Sequence, residues 1–326
     1  MTVLNTILPA GSSLVSFVFA ALVFDQWRQR RHSFQLVWAV GLLWYGISAG
    51  TEALGSALGW NHGLYRAWYL IGALFVAAYL GAGTVYLLAR TRFGYAAAVT
   101  VFLGGLLTLA FSKAYPGSTM TALVGFALAT AAAIGIGLTT AVRRQLSGHV
   151  FMGFLVVASA VVAVMVVTAP LAAPGYATDP HTGVPVGSAM PGYIRVLTGP
   201  FNIGGALCLV LGAIFSAYIY MPKVKVVRGW PLPLAVPVNL VASLPGAVAA
   251  TLAGRVNSRV PATMLIALGG FIPGVTSGLN RFGVTWSFFL GEFLGVLLIF
   301  LGFLVSEDVF ARARSRLEVK PKAALR

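Results

Sequence analysis

Glu52-Ala-Leu-Gly-Ser-Ala-Leu-Gly-Trp-Asn-His-Gly-Leu-Tyr-Arg66 is the stretch whose reading decides the fold. It joins two long apolar runs, Gln35–Gly59 and Arg66–Ala89, and carries a charge at each end. Apolar runs of about 20 residues are long enough to cross a bilayer as helices. The stretch is then the turn of a membrane hairpin. A carboxylate inside a span is expensive and is expected to face the bundle interior with a partner. Glu52 lies about two turns before its helix ends and Arg66 opens the next helix. A tight hairpin is therefore expected to pair the two, with Glu52 ionised.

The rest of the chain agrees with a membrane setting. Hydrophobic residues make up 59% and charged residues 9%, and the mean hydropathy is +0.89. A soluble domain carries about 25% charged residues, so this chain has too few to cover a water-facing surface. A transmembrane β-barrel would alternate in segments of about 10 residues; the long continuous runs select helices. The net charge of +15 points to basic cytoplasmic loops and not to nucleic acid. The lone Cys208 excludes an intrachain disulfide and a cysteine-based metal site. The N-terminal run lacks a basic leader and meets Asp25–Arg31, so a retained first span is expected.

Seven spans are read in order: Leu8–Phe24, Gln35–Gly59, Arg66–Ala89, Tyr95–Phe111, Met120–Val142, Val150–Ala169 and Tyr193–Met221. Pro170–Gly192 holds five prolines and reads as an irregular loop. With the N-terminus outside, the inner loops hold ten Lys and Arg and the outer loops three, as the positive-inside bias requires. Beyond Met221, the stretch Trp230–Gly254 carries Pro231, Pro233, Pro237 and Pro245. Proline costs about 3 kcal/mol in a helix interior, so an interfacial or re-entrant segment is expected there. Pro261–Leu279 and Val284–Val305 then pair as a C-terminal hairpin. The basic balance becomes 18 inside against 4 outside. The fold class is an all-α, polytopic transmembrane bundle of about nine spans. Its parts are a seven-span core (1–221), a Pro-rich cytoplasmic or interfacial segment (222–260), the hairpin (261–310) and a basic cytoplasmic tail (311–326).

Short matches suggest an internal repeat. Tyr65-Arg66 precedes span 3 and Tyr193-Ile-Arg195 opens span 7; Leu80-Gly81-Ala82 with Tyr86 matches Leu211-Gly212-Ala213 with Tyr218. Spans 1–3 and 5–7 would then be parallel repeats joined by span 4, an arrangement some transporters use; chance similarity of short motifs is the alternative. The layout resembles sugar transporters and microbial rhodopsins in topology alone. No proline-glutamine motif is present, and span 7 has no lysine to hold a retinal.

Three polar residues fall at one depth in the outer half. Glu52, Asn202 and Glu292 lie roughly 10 to 13 Å below the outer ends of their spans. Pro200 interrupts span 7 just above Asn202 and would free a backbone carbonyl. Together Glu52, Asn202 and Glu292, with Arg66 as partner to Glu52, form the expected ligand site. The competing reading makes each a separate helix-packing bond: Glu52 to Arg66, Asn202 to backbone, Glu292 to a serine or arginine. Gly291 and Gly295 mark a packed side of the last span, and Glu292, about 100° from Gly291, is expected to point toward spans 2 or 7. His32 and His149 would be haem-ligand candidates only if the repeat holds; placement at the inner headgroup level beside Arg31 and Arg144 is the stronger reading. Trp27, Trp60, Trp68, Trp230 and Trp286 read as an interfacial belt.

No HExxH, GxSxG, kinase or P-loop motif is present, which argues against an enzyme, and no cofactor is specified. The expected function is an integral inner-membrane transporter or ligand-binding protein for a small or lipid-like molecule, N-terminus outside and C-terminus cytoplasmic. The alternative is a structural or sensory subunit of a membrane complex. Expected partners are membrane lipids and a second copy or another subunit of a membrane complex, with no nucleic acid.

Overall fold

The computed structural model describes residues 2–227, 229, 232–253 and 257–306. Ten long helices carry the described residues: α1 (Thr2–Arg30), α2 (Ser33–Leu58), α3 (His62–Leu87), α4 (Phe93–Ser112), α5 (Thr119–Val142), α6 (Ser147–Thr168), α7 (Gly192–Tyr220), α8 (Leu232–Leu252), α9 (Arg259–Arg281) and α10 (Phe288–Val305). No strand occurs among the described residues; the 170–191 loop has one isolated antiparallel bridge, Thr178 to Pro185. Among the described residues, eight helices are long and apolar enough to cross a membrane: α1, α3 to α7, α9 and α10. The protein is therefore a multi-pass helical membrane bundle. α2 has 26 residues but is not among those eight. Its Gln35, Ser48, Thr51 and Glu52 dilute its hydropathy, and all four are buried in the bundle.

The α2–α3 turn follows from two residues. Gly59 ends α2 at φ 92°, a left-handed conformation that glycine adopts without a Cβ penalty. Asn61 then caps α3, its side chain accepting from the Leu64 N–H at 2.9 Å. α3 is central, packed against α2, α6 and α7. It meets α7 backbone to backbone: a Cβ on Gly81 would collide with the Gly205 carbonyl, and one on Gly205 with the Ala77 peptide. Small residues permit such approach where lipid supplies no hydrophobic drive. Each of the two helices carries a π-helical turn, Ile71–Phe75 in α3 and Gly199–Ile203 in α7, and the two turns touch.

The C-terminal hairpin closes the bundle. Gly291 of α10 packs on Thr276 of α9, and Gly295 on Pro273 and Gly269. α10 also lies against α1 and α2, where Phe19, Leu42, Tyr45, Val296 and Ile299 form one buried cluster. α8 is helical in spite of Pro237 and Pro245 and seats on the segment that follows α7. Its Asn239 bonds both the N–H and the carbonyl of Val227, and the Val224 N–H donates to Ser243 Oγ.

At one end of the bundle the 170–191 loop is strapped to four helices or their turns. Asn5 of α1 donates to the Thr182 carbonyl. Tyr65 and His62 of α3 reach Val186 O at 2.6 Å and Pro174 O at 2.7 Å. Asn280 of α9 donates to Pro185 O, and Thr182 meets Thr285 ahead of α10 at 2.8 Å. At the opposite end lie Arg30, Arg31, Arg90, Arg92, Arg143, Arg144, Lys223 and Lys225. The tail 311–326, Arg228, Trp230 and Arg255 fall outside the described residues.

Candidate functional site

Glu52 and Glu292 come together in the middle of the loop-side half. Glu52 is completely buried, and its Oε1 accepts the Trp68 indole N–H at 2.8 Å. Its Oε2 has no hydrogen-bond partner among the described residues; the ionisable group beside it is the Glu292 carboxyl. Tyr45 completes the arrangement by donating to the Glu292 carbonyl at 2.7 Å. Glu292 thus points at α2. The glycine face of α10 is spent on α9, and the next position round the helix is turned inward.

Arg66 is not the partner of Glu52. Its Nη2 donates to the Ala169 carbonyl at 2.6 Å, at the end of α6. The reason is helix geometry. Trp68 faces Glu52, and Arg66, two residues earlier, lies about 200° away round the same helix. The expected Glu52–Arg66 ion pair is therefore replaced by an indole–carboxyl bond. Trp68 departs from the interfacial-belt reading for the same reason: it is buried among Trp60, Tyr65 and Tyr69.

Asn202 sits in the π-turn of α7, and its Nδ2 donates to the Ala73 carbonyl in the π-turn of α3 at 3.3 Å. Pro200 is used differently from the expectation: it opens the π-turn and packs against Gly104 of α4. Asn202 and Glu292 line two adjoining cavities together with Gly72 and Ser277. The inner one, about 80 Å³, reaches Tyr45, Ser48 and Pro273. The outer one, about 270 Å³, extends up to the 170–191 loop. Its upper wall holds Arg195, Arg281, Tyr115, Asp179, Ser188 and Thr285, with Trp68, Tyr69 and Phe288 on its sides. The structure brings Asn202 and Glu292 into this vestibule, sets Glu52 directly behind Glu292, and leaves Arg66 outside it.

Arg195 and Arg281 were legible only as basic residues on the side that the sequence reading takes as the sparsely charged outer one. That scarcity is itself the signal: a cation on the side where the positive-inside bias disfavours it calls for a local reason. Arg195 lies over the Tyr115 ring at 4.4 Å, and both arginines are within Coulombic reach of the Tyr69 hydroxyl. Asp179 is folded back on its own loop. Its Oδ1 accepts from the N–H groups of His181 and Thr182 and from the Thr182 hydroxyl. These bonds, the Thr182 N–H first, hold its carboxyl below the usual carboxylate range. Asn280 Oδ1, in the same wall, is buried without a partner.

The histidines do not build a metal centre. His32 stacks on Phe34, and His149 meets the edge of Tyr86. Among the described residues no three His, Cys, Asp or Glu side chains group as metal ligands. Cys208 is buried against Thr100. No family model, no curated protein and no solved structure matches this chain.

Proposed function

We propose that this is an inner-membrane transporter or ligand-binding protein for a small polar molecule, with its site in the outer half of the bundle. The observation that carries the reading is the vestibule of about 270 Å³ that runs from the 170–191 loop down to Asn202 and Glu292. Ionisable groups within membrane spans are expensive and mark pathways and binding sites by default. A packing role alone would not call for a polar cavity beside the carboxyl pair. The polar walls favour a small polar molecule over a lipid-like one.

Nine crossings fit the connections. α2, about 39 Å long, is tied to α1 by Arg31 and His32 and to α3 by Gly59, Trp60 and Asn61. If α1 and α3 cross, α2 crosses too, with its polar residues turned inward. α8 then lies at the basic end as the interfacial segment. The positive-inside bias puts that end in the cytoplasm, the N-terminus outside and the C-terminus inside. The touching π-turns of α3 and α7 support a parallel repeat of spans 1–3 and 5–7.

Ser277 tests the site because it lines both cavities. In a Cys208→Ser background, Ser277→Cys should react in intact cells with a membrane-impermeant maleimide added outside. A cysteine that reacts only after denaturation would overturn the outward-facing site and leave the structural or sensory subunit as the reading.

A further inference from the structure

The vestibule has guanidinium side chains at its mouth and carboxyl side chains at its floor, and we infer that it binds a small elongated zwitterion, a carboxylate at one end and a protonated amine at the other. The inference rests on the ligand-site reading proposed above and names its substrate class.

The mouth is cationic. Neither Arg195 nor Arg281 has a carboxylate partner among the described residues; Arg195 rests on the Tyr115 ring, and Asp179 Oδ1 is committed to its own loop. Guanidinium groups free of a counter-ion suit a carboxylate, which they bind through paired N–H donors. The floor is acidic. Glu292 lines it with the Glu52 carboxyl beside it, no cation pairs with either among the described residues, and the nearest arginine in sequence, Arg66, is turned to Ala169. The Asn202 and Ser277 side chains stand beside Glu292 as neutral polar groups.

Helix rise separates the two ends. Arg195 precedes Asn202 by seven residues on α7, an interval of about 10 Å at helical rise. Trp68, Tyr69 and Phe288 wall the space between and suit a short methylene spacer. A simple carboxylate would satisfy the mouth and leave the floor's carboxyls without a cation; a simple amine would satisfy the floor and pass two guanidiniums. A zwitterion gives each end a complementary group.

The test uses the full-length protein in detergent and four probes: 4-aminobutyrate, 6-aminohexanoate, hexanoate and hexylamine. By calorimetry, one of the two amino acids should bind at least tenfold more tightly than hexanoate and hexylamine. Arg281→Gln, at the exposed end of α9, should bring that affinity down to the level of hexylamine. Glu292→Gln should bring it down to the level of hexanoate. If Glu292→Gln does not fold, Arg281→Glu decides: it should abolish amino acid binding and strengthen hexylamine binding. Hexanoate binding as tightly as 6-aminohexanoate, or no binding by any of the four, overturns the zwitterion. Ser277→Cys labelling in cells separates the two failures. Labelling with failed probes sinks the substrate class and leaves the ligand site, whereas loss of labelling sinks both.

Discussion

Two cavities of similar size flank α7, and they differ in almost everything else. The vestibule, about 270 Å³, is walled by arginine, asparagine, serine, threonine and tyrosine with Glu292 at its floor. The cleft between α5 and α6, about 240 Å³, is walled by Val124, Leu128, Phe154, Val157 and Val161 among other apolar side chains. α7 supplies a wall to both. Arg195, Thr198 and Asn202 face the vestibule, and Leu197, Pro200, Phe201 and Gly205 face the cleft. The spacings, three and four residues on each face, are those of two stripes on one helix. Volume therefore says little about which cavity holds a specific ligand. In a bilayer the cleft walls meet acyl chains as apolar as themselves, whereas the vestibule walls carry donors and charges that water or a polar ligand must satisfy.

The largest effect should come from the wall the two cavities share. Gly205→Leu puts a side chain into the Ala77 peptide, where no rotamer avoids backbone. A loss of about 3 kcal/mol is expected, read as a collapsed thermal midpoint and loss of a monodisperse peak. A wild-type midpoint would mean that α3 and α7 do not meet at backbone distance.

Trp68→Phe comes next. It keeps an aromatic ring near Glu52, smaller than the indole, and removes the N–H that Glu52 Oε1 accepts, leaving a buried polar atom unpaired. About 1–3 kcal/mol should be lost, measured by thermal unfolding. In the Glu52→Leu background the same change should have a much smaller effect, since the acceptor is gone. Equal effects in both backgrounds would show that the indole acts by packing alone.

On the other side of α7, Leu128→Ala in the cleft should change stability by no more than about 0.5 kcal/mol, because the residue is already largely exposed. A loss matching that of Trp68→Phe would make the cleft a packed core and erase the contrast.

The smallest effect concerns Asp179. Its carboxyl is held low by the Thr182 and His181 donors, so the loop's attachment through it is present above the ordinary aspartate pKa of about 3.9. It is lost only as pH falls through the depressed native value. Protection of the His181 and Thr182 amides, taken relative to intrinsic exchange at each pH, should therefore be flat between about pH 5 and 8 and fall only as the pH drops through the depressed native value. Asp179→Asn should behave at neutral pH as the wild type does in acid. Protection that changes near pH 6 would assign the loop's anchoring to another group.

Much of the fold was legible because hydropathy reports length directly. The runs Tyr95–Phe111, Met120–Val142 and Tyr193–Met221 reappear as Phe93–Ser112, Thr119–Val142 and Gly192–Tyr220. α2 shows the limit of that signal. Its polar residues lower its hydropathy because they serve the interior, and only its neighbours and short connections indicate how it runs. Glu292 shows a signal that carried further: Gly291 and Gly295 face α9, so the adjacent position turns inward. For Glu52 and Arg66, proximity in sequence misled, because a hairpin brings helix ends together without setting which face each residue takes.

The sequence by itself determined a multi-pass helical membrane bundle, since runs of apolar residues with few charges leave no other way to satisfy the backbone in lipid. It also led to the expectation that Glu52, Asn202 and Glu292 lie at one depth, because helix rise is fixed at 1.5 Å per residue. Only the tertiary structure decided their partners. It gave Glu52 to Trp68 and Glu292, sent Arg66 to Ala169, and brought Arg195 and Arg281 from separate helices to the mouth of one cavity. The physical reason is that depth is a one-dimensional property of the chain, whereas a partner depends on the rotation of each helix about its own axis, which is set by how its small residues pack against its neighbours.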